Sequence, residues 1–172
     1  MDINYPLEYW QDFSGPFPQM VFADNARGLF SLGVKIKTKG YYGHFMWLIG
    51  KDELASQWFY FQRQHLDHYT GAYLKFVHNP SWTHRERKVL IEEIKQDLAL
   101  PWYKTLYDVP GVIGELFGIR INIPWLDFCS ERGKYLSEVD PAYDLQHPTP
   151  KDLNLFTKHG GQYKVCGRYS PG

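Results

Sequence analysis

The run Tyr42-Gly43-His44-Phe45-Met46-Trp47-Leu48-Ile49 is apolar at almost every position and is closed by Gly50-Lys51-Asp52. A strand that shows one face to water alternates apolar and polar residues, whereas one that is apolar on both faces needs cover on each side. The run therefore predicts a central strand, and it obliges the rest of the chain to supply both neighbouring strands and covering layers. Met20-Val21-Phe22-Ala23 precedes it as a short strand. Ser56-Gln57-Trp58-Phe59-Tyr60-Phe61 and Tyr73-Leu74-Lys75-Phe76-Val77 follow as aromatic and β-branched strands, joined by a polar connection from Gln62 to Thr70. Together they predict an antiparallel meander. Residues 29–36 read as a helical turn or two, or as another strand.

Beyond Asn79-Pro80 the period changes. Ser81 or Thr83 can cap a helix carrying Leu90, Ile91, Ile94 and Leu98 on one face, which Pro101 stops. Residues 109–117 suggest a second helix entered by Pro110, and Ile119-Arg120-Ile121-Asn122-Ile123 an extended run leading to Pro124. A short helix is expected from Cys129 to about Ser137. Another begins at Thr149-Pro150-Lys151-Asp152-Leu153, with Thr149 as cap, Asp152 in the capping-box position and Gly160-Gly161 at its end. A closing strand runs from Gln162 to Tyr169. The expected class is α+β: an antiparallel sheet of five to six strands packed against helices, with the helix that starts at Cys129 docked on the sheet face that carries His44. A chain of 172 residues without repeat or linker fits one domain, 1–172, in which residues 1–18, rich in Pro and aromatics, wrap the surface.

Nineteen basic and nineteen acidic residues cancel, so no net field draws the chain to nucleic acid or to an anionic membrane. The start has neither a basic nor an apolar segment of a secretory signal, and no run approaches the ~18 apolar residues of a membrane span. A cytoplasmic protein without an integral membrane segment is the expectation. Two cysteines, Cys129 and Cys166, are too few for a disulfide framework, though a single bridge between them is an open alternative to free thiols.

Cys129 stands in Phe128-Cys129-Ser130-Glu131 at a helix start, where unpaired N–H groups and the helix dipole lower a thiol's pKa. A nucleophilic thiol needs an imidazole to take its proton and a polar group to hold that imidazole. His44 lies on the central strand, which fixes a ring more firmly than a loop does. The next strand offers Gln57 as orienter, with Ser56 turned to the opposite face. The Cys129 N–H would be one oxyanion donor, and Glu131, in the first turn, serves the dipole.

The order of these residues, with Tyr41-Tyr42-Gly43-His44 on a strand, a polar residue on the next, Tyr107-Asp108, Phe128-Cys129-Ser130-Glu131 and then Thr149-Pro150-Lys151-Asp152-Leu153, resembles the permuted papain-like (NlpC-type) cysteine peptidases and amidases. In that branch the histidine precedes the cysteine, as here. The resemblance covers roughly residues 20–157. It implies Cys129 as nucleophile, His44 as base, Gln57 as the third polar residue, and a peptide or peptidoglycan-type amide as substrate, with no cofactor. An acyltransferase or thioesterase acting on lipid-like substrates, or a catalytically silent binding module, are the competing expectations.

Tyr107 and Trp125 are candidates to line a substrate groove, while Trp47, Trp58, Trp82 and Trp102 read as core or cleft wall. His65-Leu66-Asp67-His68 has metal-like spacing but sits on a polar connection without a further ligand, so no metal site is assigned. The cluster from His84 to Lys88 reads as a solvated helix face.

Overall fold

A computed structural model describes residues 16–24, 40–111, 114, 126–127, 129–145, 148–159 and 163–169. Six strands form one antiparallel sheet: β1 (Gln19–Asp24), β2 (His44–Leu48), β3 (Glu53–Gln57), β4 (Phe61–His65), β5 (Tyr73–His78) and β6 (Lys164–Tyr169). Their order across the sheet is β4-β3-β2-β1-β5-β6. The first four strands make an antiparallel meander, but not the expected one: the strand at residues 73–77, expected to follow the 56–61 strand in it, crosses back as β5 to pair with the free side of β1. The run around His44 is interior, between β1 and β3, as its double-sided apolar character requires.

The predicted polar connection from Gln62 to Thr70 is a correction. It contains β4, followed by a 3-10 turn at Leu66–Tyr69, and the strand expected over residues 56–61 breaks after Gln57. β4 is polar because it is the sheet's edge, where only one face meets a core and charged side chains discourage further pairing. Residues 29–36, 119–123 and the Gly160-Gly161 stop lie outside the described residues; helical backbone is present at 109–111 and 114.

Two α-helices of ten or more residues and a long 3-10 helix, besides short 3-10 turns at Leu66–Tyr69 and Trp102–Lys104 and the helical backbone at 109–114 where described, complete the described chain. Helix α1 (His84–Leu98) is capped by Thr83, whose hydroxyl accepts from Glu86 N at 3.2 Å while the Glu86 carboxylate accepts from Thr83 N at 2.7 Å. Helix α2 (Pro150–His159) starts in the same way: Asp152 N donates to Thr149 Oγ1 at 3.2 Å, and Thr149 N donates to the Asp152 carboxylate at 2.8 Å. Between them in sequence runs the 3-10 helix Cys129–Glu138.

Strand parity sorts the core into two layers. Met20, Phe22, Phe45, Trp47, Ala55 and Val77 face Leu90 and Ile94 of α1, Leu153 of α2, and Tyr135 and Leu136 of the 3-10 helix. Val21, Ala23, Met46, Leu48, Leu54, Leu74 and Phe76 face the other way, covered among the described residues by Leu66, Tyr69 and Ala72 with Phe17 and Trp58 at the margin.

Candidate active site

The segment that carries Cys129 is ten residues of 3-10 helix, longer than the three or four at which most such runs stop. With three residues per turn, positions i and i+3 eclipse. Cys129, Arg132 and Tyr135 form one buried row, Ser130, Gly133 and Leu136 a second, and Glu131, Lys134 and Ser137 the outward row.

Arg132 anchors this helix. Its side chain is 3% exposed. Nε donates to Gln57 Oε1 at 3.0 Å, and the two terminal nitrogens reach Asp97 at 2.6 Å and Asp127 at 3.0 Å. The guanidinium lies 4.5 Å from the centre of the Phe61 ring. Tyr135 donates to the same Asp97 carboxylate at 2.8 Å, and the Trp47 indole donates to the Arg132 carbonyl at 2.8 Å. One residue thus ties the cysteine helix to β3, to α1 and to the 126–127 segment.

These contacts correct the role expected of Gln57. Its carbonyl oxygen takes Arg132, and its amide donates to the Thr105 carbonyl at 2.7 Å, so both ends are committed away from the imidazole. Strand parity is the reason: Met46 pairs with Ser56, which puts His44 and Ser56 on one face and Gln57 on the other. Ser56 holds the ring instead, with its Oγ 2.9 Å from His44 Nε2. The same parity overturns the expectation that the cysteine helix docks on the histidine face. It docks on the Phe45 and Trp47 face, with Cys129 reaching the level of β2.

Cys129 is a free, buried thiol. The backbone of Phe45, Ser130 and Cys129 itself favours the thiolate, and Phe45 is the residue immediately after His44. Their pull is outweighed by burial, which pushes the thiol up to about 11, with the Glu131 carboxylate adding to the rise. The depressed pKa expected from the helix start is therefore not the resting state. His44 is shifted in the opposite direction, burial taking its imidazole down to about 4. Its ring stacks on Tyr69 at 6.1 Å and tilts against Trp58 at 5.8 Å. At neutral pH the thiol and the imidazole are thus both neutral, and no hydrogen bond joins them in the described structure.

Tyr107 closes on the thiol. Burial, with the Cys129 side chain beside it, raises its phenol well above the ordinary range. Its backbone is fixed on both sides, by Tyr107 N donating to Phe59 O at 2.8 Å and by a parallel bridge to Asp127. Asp108, next in the chain, accepts from Gly111 N at 2.7 Å and opens the following helical turn. Trp125 lies outside the described residues. Of the His65-Asp67-His68 group, His65 Nδ1 faces Asp67 at 3.1 Å while His68 packs edge-on against Trp58 and Tyr69, so the two imidazoles serve different neighbours.

Ser56, Tyr69 and Arg132 were not singled out from sequence. Ser56 could be found only through the register of β2 on β3, and Arg132 only through a period of three, which an α-helical reading does not apply.

Compared with known proteins, the chain matches no family model and no curated sequence. Among the described residues no helix is long and apolar enough to cross a membrane.

Proposed function

We propose that the protein is a cysteine hydrolase of amide bonds, built on a permuted papain-like (NlpC-type) core, with Cys129 as nucleophile and His44 as proton acceptor. The observation that carries this reading is a free, buried Cys129 thiol set against the backbone of Phe45, the residue that follows a serine-held histidine. A neutral imidazole is the form able to accept a proton. As the sulfur attacks the substrate carbonyl, His44 takes the thiol proton and a C–S bond forms. The developing oxyanion meets the Cys129 N–H and the Tyr107 hydroxyl. His44 then returns the proton to the leaving amine, the C–N bond breaks, and water, deprotonated by His44, resolves the thioester to acid and free thiol. A peptide or peptidoglycan-type amide is the substrate class.

A second reading, a catalytically silent binding module, is favoured by one observation: burial drives the thiol up and the imidazole down, so neither is ionised at neutral pH. The two are separated by reacting the protein with p-nitrophenyl acetate at pH 7, following acetyl-Cys129 by intact mass, and then assaying release of amines from peptidoglycan sacculi and a peptide mixture. The hydrolase predicts a transient adduct lost in Cys129→Ser, formed ~100-fold or more slowly in His44→Ala, and amine release that follows the same order. Adduct formation that rises only as pH approaches the thiol's own pKa, equally in His44→Ala, sinks the hydrolase and supports the module.

A further inference from the structure

His44 hydrogen-bonds a serine, and a hydroxyl can give or receive, so that contact alone does not say which ring nitrogen carries the proton. The atoms behind Ser56 decide it. Its Oγ lies 2.9 Å from Tyr69 Oη. Tyr69 Oη also receives the Trp58 indole N–H at 2.8 Å and donates to Gln64 Oε1 at 2.7 Å.

An indole nitrogen can only donate, a carbonyl oxygen can only accept, and a phenol has one proton. The Tyr69 proton is committed to Gln64, so toward Ser56 the phenol oxygen must accept. Ser56 therefore gives its single proton to Tyr69 and can only accept from the imidazole. We infer that Tyr69 is a positioning residue: by fixing the direction of the chain from His44 through Ser56 to Gln64, it holds the neutral imidazole as the Nε2–H tautomer and leaves Nδ1 as the bare nitrogen. Trp58 and Gln64 act through it, one as obligatory donor and the other as acceptor.

This inference rests on the proposed hydrolase only for its use, since Nδ1 is then the atom that takes the thiol proton. The tautomer itself is read without turnover. In protein labelled with ¹⁵N at histidine, two-dimensional spectra at pH 7 separate a protonated, pyrrole-like ring nitrogen from a bare, pyridine-like one. Nε2 of His44 should be pyrrole-like in the wild type and in Gln64→Glu, whose carboxylate keeps the acceptor at the end of the chain. Tyr69→Phe frees the Ser56 proton to turn toward the ring, and the single tautomer should give way to a mixture or to Nδ1–H. Ser56→Ala, a smaller change in the packing, should also lose it. A wild-type spectrum with Nδ1–H, or a pure Nε2–H tautomer persisting in folded Tyr69→Phe or Ser56→Ala, overturns the inference. Failure of acetylation with the tautomer intact would count against the hydrolase and leave the positioning role standing.

Discussion

β2 and β3 carry a buried polar network on each face, and the two are built from different chemistry. On the α1 face, Arg132 gathers Gln57, Asp97 and Asp127 around a full positive charge. On the other, His44, Ser56, Tyr69, Trp58 and Gln64 are joined without any ionised group at neutral pH. A charged centre attracts acceptors from several directions and so fastens separate elements together. A neutral chain of hydroxyls fastens less, but each link fixes the next donor, so it specifies where protons sit. Holding the cysteine helix and orienting the histidine are thus divided between the two faces of one strand pair.

The largest effect should come from breaking the charged side. Arg132→Met leaves the Gln57 oxygen without its donor and the Asp97 and Asp127 carboxylates with only Tyr135 and the half-exposed Lys134, and breaking a buried pair costs about 3–5 kcal/mol. Because Asp97 and Asp127 are 22% and 30% exposed and can rehydrate, the lower end is expected in urea unfolding. The His44 tautomer in the molecules that remain folded should not change.

The neutral side and the thiol should be exposed by pH. The folded His44 pKa of about 4 lies below the ordinary 6.5, so the unfolded chain binds this proton first. Stability is then complete above pH 6.5 and falls by about 3 kcal/mol as pH drops toward 4. For Cys129 the folded value of about 11 lies above the ordinary 9.0, so the folded state keeps its proton longer. Stability should fall by about 3 kcal/mol as pH rises from 9 to 11. Urea midpoints across pH should lose the acid limb selectively in His44→Ala and the alkaline limb selectively in Cys129→Ala.

Gln57→Leu sharpens the comparison by removing an uncharged member of the charged network. It should cost about 1–3 kcal/mol, since it strands the Arg132 Nε–H and leaves the Thr105 carbonyl only its bond from Phe61 N, yet leave the histidine spectrum as in the wild type. A shifted His44 spectrum would show the two faces to be coupled. The smallest effect is expected at the surface pair of Arg63 and Glu53, 2.8 Å apart with side chains 59% and 39% exposed. Glu53→Gln should change stability by less than about 1 kcal/mol, which would show that burial rather than charge gives the Arg132 network its strength.

What could be read from the chain divides along the same physical line. The central strand at His44 and the caps at Thr83 and Thr149 are local signals, a run of one character or a pair of residues three apart, and the structure contains them. β4 was illegible because an edge strand with Gln62, Arg63 and Gln64 has the composition of a loop. The exchange of Gln57 for Ser56 turned on a single residue of parity, which no strand states about its neighbour. The proposed pairing of Cys129 with His44 rested on chain order, and the face on which the cysteine helix docks was beyond that order, because docking is set by Trp47, Gln57 and Arg132 meeting across the sheet.

The buried rows of the Cys129–Glu138 helix have a genetic consequence. A segment wound three residues to the turn tolerates change in a frame, much as a message does. Deleting one residue inside it would carry Lys134 or Ser137 into a buried row and turn Tyr135 outward, whereas inserting one would turn Leu136 outward, and either change undoes the anchors beyond the break. Removing three at once would restore the rows and shorten the helix by only about 6 Å. Among relatives of this chain, length changes here should therefore come in threes.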